Sequence, residues 1–415
     1  MANTNKVYTV MSKEVIRLFS INCVAGNTMN TQYDKTYQDS GAAAGATLNI
    51  VQPQRYTVTT GATISIQDNE ERSVTLPRTT QKHVALSFTA AELTQDLVNP
   101  EKMAMFSKNK LETAIQTLAA NIDSDVLNQA RKATYNAIGT PGTNPSAYSD
   151  ITAARAVLQK FNANSNDRHY ILTPDSMSSL NQGTSGLFNP TAEKSSDYRS
   201  GHLKDTNGFT FWDTDFLSRH TNGDAEDATA LVNGTIAEGA TSVATDGWGA
   251  TDTITEGTTI TFAGVFRKNL VSKDDKADLQ KFVVTADTTA VATAMTIPVS
   301  PTIEATGAYA NVSNVPADNA VITVIGAKSV SYDQNLFYQK EAFVFATCDL
   351  ADIGVVSEKS FRDEDLGISI KFTSQGDITN HKSVSRLDVL YGFSAVAPWW
   401  AGKQWGPRNS ALNTI

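Results

Sequence analysis

At 415 residues the chain is too long for one ordinary core, and its length predicts two or three domains. Hydrophobic residues make up 40 % and charged residues 19 %, a globular rather than a disordered composition. The net charge is −9 and no segment packs Lys and Arg densely among aromatics, which argues against a phosphate-binding groove.

Residues 1–6 are polar and do not read as a secretory signal, and no run approaches 18 consecutive apolar residues, so no membrane association is expected. Cys23 and Cys348 stand in unrelated contexts and read as two reduced thiols. Residues 7–19 have near-helical apolar spacing (Val10, Met11, Val15, Ile16, Leu18, Phe19). A polar stretch follows, then the small-residue run 41–45. This reads as an N-terminal arm, residues 1–45, with Gly41 and Gly45 as its candidate hinge.

Across residues 46–89 the pattern alternates. Tyr56, Val58, Ile64, Ile66, Val74 and Leu76 interleave with polar residues, Thr60-Gly61 signals a turn, and residues 68–72 form a charged tip. Period-2 alternation predicts long antiparallel strands. Each face carries few large apolar groups, and a lone ribbon of that kind is marginal in water. It needs a partner surface.

Asn99-Pro100-Glu101 is a helix start, with proline at the first helical position and an acidic first turn. Phe106, Leu111, Ile115, Leu118, Ile122 and Val126 continue one stripe to about Ile138, where residues 139–142 stop it. A helix of that length spans roughly 55 Å at 1.5 Å per residue. Residues 143–220 read as α/β: Ser149-Asp150 caps a helix, residues 169–172 form a buried strand, Thr173-Pro174-Asp175 opens a second helix, and residues 209–212 form another strand. From 221 to 328 Thr, Ala, Val and Gly dominate. Candidate strands at 228–232, 242–245, 258–263, 281–286, 294–298 and 320–325 suggest a small barrel or sandwich. Strand patterns at 338–346, 367–373 and 384–389 then resume the earlier lobe, so residues 221–328 read as an insertion.

No catalytic signature emerges. The five histidines make no i,i+4 pair, no nucleophile elbow or P-loop is present, and no cofactor is expected. His169, in an apolar strand, reads as structural. The acidic runs at 224–227, 274–275 and 363–365 lack the spacing of a calcium loop and read as solvated surface. Trp399, Trp400 and Trp405 form the one aromatic concentration. It reads as an anchor for the terminal strand or for a neighbouring subunit, ahead of a sugar platform.

Three stretches carry a family resemblance: residues 256–265 (EGTTITFAGV), 308–312 (AYANV), and 373–378 (TSQGDI) followed by 386–392 (RLDVLYG). With the element order, they resemble the coat proteins of short-tailed bacteriophages of the Salmonella P-twenty-two type. Those share the major capsid fold of tailed phages and herpesviruses typified by phage Hong Kong ninety-seven. The resemblance implies an α+β tailed-phage capsid fold with an N-arm, an extended β-hairpin loop (46–89) and a peripheral domain with a spine helix (90–142). It further implies an axial α/β domain (143–220 and 329–385), an inserted small β-barrel (221–328), and a C-terminal strand (386–415) returning to the peripheral domain. Between residues 232 and 256 the family has a longer excursion, and its shortness here puts a twofold-bridging loop in question.

The implied function is non-enzymatic self-assembly, as pentamers and hexamers, into an icosahedral virion shell built in the host bacterial cytoplasm. A scaffolding protein and a portal protein are the implied partners. The packaged double-stranded DNA is enclosed without sequence-specific binding, which an acidic chain suits. Subunit-contact candidates are Arg55, Asp68, Glu70, Glu71, Arg72, Trp399 and Trp400. A tail-tube or surface-layer lattice protein is the alternative, with a carbohydrate-active enzyme behind it.

Overall fold

The computed structural model describes residues 23–31, 48–62, 66–67, 70–77, 79–89, 112–185, 201, 203, 205–225, 230–354, 357–363 and 368–408. The expected arm helix at 7–19, the hinge candidates Gly41 and Gly45, Asp68, and helix turns 99–111 lie outside these. The chain divides into two units. Residues 1–50, 74–127 and 343–396 form the first; 51–73, 128–342 and 397–415 form the second.

The first unit is built on the strand Lys382–Ala395. Along one side it pairs antiparallel with Thr80–Thr89, Lys382 opposite Thr89 and Tyr391 opposite Thr80. Along the other it pairs first with Ile368–Asp377 and then, from Leu390, with Phe343–Cys348. Ser357–Asp363 completes the sheet. The turn after Asp377 is an Asx-type turn: Asp377 Oδ1 accepts from the Thr379 and Asn380 amides at 2.9 and 3.4 Å.

The helix Glu112–Ala133 buries Ile115, Leu118, Ala119, Ile122, Asp123, Val126 and Leu127, the i, i+3, i+4 stripe of an amphipathic helix. Fully burying each large aliphatic contributes roughly 1.5–3 kcal/mol. Its polar residues tie it to the sheet: Tyr391 donates to Asp125 Oδ2, and Lys82 Nζ lies 3.4 Å from the same atom. Asp123 caps the short helix Val24–Thr28 from outside. Its oxygens accept from the Val24 and Ala25 amides at 2.6 and 3.0 Å and from Cys23 Sγ at 3.2 Å.

Two expectations fail here. The helix ends at Ala133 rather than near Ile138, because Ala137–Ile138 is taken into a sheet opposite Lys403 and Gln404. The hairpin expected over 46–89 has a shorter ladder: Leu48–Val51 pairs with Ser73–Leu76, and no described residue from 52 to 72 is in a strand. A ribbon with so little to bury cannot propagate its ladder alone, whereas residues 80–89 find a long-range partner and become a full sheet strand.

In the second unit, an α/β lobe is centred on the strand Ser331–Gln339. Ala401–Arg408 and Arg168–Leu172 flank it, both antiparallel. Arg168–Leu172 and Thr210–Asp213 are parallel, joined through the helix Pro174–Thr184, which opens on proline as expected. The helix Tyr148–Lys160 starts one residue before the expected cap. Asp150 acts from inside its first turn, accepting from the Ser146 and Ala147 amides at 2.9 and 3.0 Å. Tyr170, Phe209, Phe211 and Phe337 form the aromatic centre of the lobe's core. Gly402 lies opposite Phe337, and a Cβ there would sit 2.1 Å from the ring.

All six candidate strands of 221–328 fall on strands of one sheet: Leu231–Val232, Ala240–Asp246, Thr259–Lys268, Asp275–Val284, Met295–Ile303 and Ile322–Val324. Leu231 bridges Val321, the Val232 amide donates to Ala320, and the Ile322 amide donates to Ala230. These bonds join the two ends of the order, so the sheet closes and shelters its edges. Inside, the Phe262 and Phe282 ring centroids are 5.3 Å apart, among Ile260, Val284, Ile297, Val299 and Ile322. This module is fastened to the lobe where its strands start. Lys403 Nζ donates to the Gly257 carbonyl at 2.7 Å, and Lys132 pairs with Glu256 at 2.6 Å.

The C-terminal division also differs from expectation. The strand Lys382–Ala395 runs unbroken through residue 385, and 343–396 group with the first unit. Residues 397–408 belong to the second, where Ala401–Arg408 pairs with Ser331–Gln339. The alternation at 384–389 marks a strand but carries no information about which sheet receives it.

Candidate functional site

Four of the sequence-nominated contact residues, Arg55, Glu70, Arg72 and Trp399, converge within the second unit on one corner of the closed sheet. The receiving residues are fixed first. Glu304 follows the strand Met295–Ile303; its amide donates to Asn311 Oδ1 at 3.1 Å, and Thr302 Oγ1 donates to its Oε1 at 2.9 Å. Asn311 in turn donates from its amide to the Glu304 carbonyl and from Nδ2 to Thr302. Tyr309 is buried beside them.

Arg72 meets this corner with a bidentate fork, Nη1 and Nη2 at 2.6 and 3.2 Å from the two Glu304 oxygens. Its Nε donates to Glu70 at 2.8 Å, and its Cζ lies 3.8 Å above the Tyr309 ring centroid. The Tyr309 hydroxyl donates to the Glu70 carbonyl at 2.8 Å. Arg55 is held by ring faces, its Cζ 4.5 Å from the Trp399 centroid and 5.6 Å from that of Tyr309. The loop's own cross-links are the Gln52 amide to the Arg72 carbonyl at 2.8 Å and the Thr57 amide to Gln67 Oε1 at 2.9 Å.

Burial opposes charge on Arg72, but its bonds to Glu304 and Glu70 outweigh that and hold the guanidinium above its ordinary pKa. Arg55, without such a bidentate carboxylate, is lowered by burial, an effect that Tyr135 and Tyr309 partly offset. Lys273 is lowered to about 8, first by burial and then by Arg55 and Lys268.

Other candidates go elsewhere. Glu71 accepts from Gln54 Nε2 at 3.3 Å and stays exposed. Trp400 donates to the Phe161 carbonyl at 3.2 Å and packs on the lobe core, and Trp405 is fully buried. Trp399 and Trp400 thus anchor their own chain. The resemblance stretch 308–312 contains Tyr309, but no local signal pairs Tyr309 or Glu304 with a loop more than 200 residues upstream. His169 accepts from Trp212 Nε1 at 3.3 Å, and burial lowers it to about 4. Among the described residues no cluster of His, Cys, Asp or Glu could hold a metal ion.

While the arginines face the corner, apolar side chains of the loop face water: Val58 is 94 % and Ile66 91 % exposed. Residues 1–406 match the family described as P22 coat protein, gene protein 5.

The chain belongs to the P22 coat protein family.

It is therefore a structural coat protein of a bacteriophage capsid and not an enzyme. Among solved structures it is similar to one from Mycobacterium phage Che8, with 12 % identity, a TM-score of 0.46, and 92 % of this chain and 90 % of that one covered. It is also similar to the capsid of Ralstonia phage GP4, with 8 % identity, a TM-score of 0.43, and 93 % and 88 % covered. At these scores the likenesses add nothing to the family assignment. No curated protein matches the chain.

Proposed function

We propose that this coat protein self-assembles into an icosahedral shell of pentamers and hexamers around the phage genome. It first forms a procapsid on a scaffolding protein in the host cytoplasm, with a portal at one vertex, and then expands as double-stranded DNA is packaged. The family match over residues 1–406 carries the reading. The exposed Val58 and Ile66 of the loop support it, as side chains suited to lie on a neighbouring subunit. On this reading residues 1–45 are the arm, the first unit's sheet and helix are the peripheral domain, and the α/β lobe is the axial domain. The closed sheet is the inserted barrel domain. Head-to-tail contacts that close into rings generate the capsomers. The net charge of −9 suits a shell that encloses DNA without adhering to it.

The test is electron microscopy of the protein expressed in bacteria, alone and with a scaffolding protein. Closed shells of uniform size that become regular with scaffold are the expected result. Tubes or sheets would transfer the reading to a tail or surface lattice, and a monodisperse monomer under both conditions would sink it.

A further inference from the structure

We infer that the Glu304–Tyr309 corner of the closed sheet is a seat for the loop. It holds Arg72 and Arg55 so that the unassembled chain already presents the loop's apolar side chains to a second copy. The second-copy part rests on the assembly reading; the seat itself does not.

Three observations carry this. The seat is built without the loop, since Glu304 is oriented by Asn311 and Thr302 of its own module. A carboxylate fixed in this way recognises a guanidinium with little ordering left to do. The loop turns its cations inward: all three nitrogens of the Arg72 guanidinium are engaged, two on Glu304 and one on Glu70. Its apolar residues point out, with Val58 and Ile66 almost fully exposed. Cations inward and hydrocarbon outward is the reverse of what water alone selects. The arrangement fits a segment docked by its cations and offered by its apolar face.

The physical gain is in entropy. A free loop must give up backbone freedom when it binds, which weakens and slows docking. A seated loop has given it up beforehand. The inserted module then acts on assembly by fixing the pose of the loop.

The experiment is hydrogen–deuterium exchange on the unassembled full-length chain, comparing wild type with Glu304→Gln and Arg72→Ala. The second variant leaves the module's own residues untouched, in case the first disturbs its fold. The expected result is exchange about tenfold faster in both variants for the Gln52 and Thr57 amides, with strands 259–262 and 281–284 unchanged. Assembly with scaffold, followed by light scattering, should start several-fold slower. Unchanged loop exchange in Arg72→Ala would overturn the seat. Faster assembly by either variant would overturn presentation, because the contact would then be withholding the loop. If wild-type chains form no shells, presentation falls together with the assembly reading, while the exchange data still decide the seat.

Discussion

Replacing Asp123 by alanine should loosen the docking of residues 24–29, and by more at mildly acidic pH than at neutral pH. The carboxylate has no exposed surface and accepts from two backbone amides and a thiol. Without it, the Val24 and Ala25 amides lose their acceptor at a helix start that has no other cap, at about 1–3 kcal/mol each. Removing a buried carboxylate also relieves its desolvation, so the net loss near pH 7.5 should be about 1–3 kcal/mol.

Burial pushes the Asp123 pKa from 3.8 to about 6, against the lowering effect of the Ala25 and Val24 amides and Cys23. A raised folded-state pKa means that the native chain binds the proton more tightly than the unfolded chain. The contribution of Asp123 is therefore most favourable below pH 4 and is lost as pH rises through about 6. Between about pH 7.5 and pH 5 the wild type should gain about 1.4 kcal/mol that the alanine variant cannot. A two-unit chain need not melt in one step, so the assay is the opening free energy from amide exchange across residues 24–29 at both pH values. An equal loss at the two pH values, or a larger loss at the higher one, would refute the reasoning.

Cys23 has no exposed surface and its thiol pKa is pushed up by burial and by Asp123, whereas Cys348 is only partly buried. A thiol reagent should label Cys348 readily in the native chain and reach Cys23 only on unfolding, as mass spectrometry of the labelled peptides would report. Gly402→Ala should destabilise the α/β lobe by about 1–3 kcal/mol, because the new methyl meets the buried Phe337 ring, which has nowhere to move. A thermal melt showing no loss would count against that packing. Lys403 is fully buried, and burial, with Arg131 and Lys281 nearby, holds its pKa well below the ordinary value. Lys403→Met should lose the bond to Gly257 but relieve the desolvation of the ammonium, so its effect on stability should become less favourable toward pH 10, where the unfolded lysine also loses its charge; an effect independent of pH would contradict a lowered Lys403 pKa.

Periodicity by itself determined which residues face inward and what they form. The stripe through Ile115, Leu118, Ile122 and Val126 is buried as read, Pro174 opens its helix, and the six candidate strands of residues 221–328 fall on strands. These are local properties, since a side chain three, four or two residues on shares a face whatever lies opposite. The absence of any catalytic motif was equally legible, because a motif is a short pattern.

Only the tertiary structure decided the pairings. Residues 80–89 leave the hairpin because Lys382–Ala395 offers ten ladder partners, and Ala137–Ile138 leaves the helix because Lys403 and Gln404 lie alongside. The six-stranded sheet between Leu231 and Val324 closes only when Leu231 meets Val321. The candidate site follows the same rule. Arg55 and Arg72 were visible as charges on a loop, but their meaning depends on Glu304, Tyr309 and Trp399. Contacts between residues more than 200 positions apart leave no periodic trace in either segment, and only the folded chain brings them together.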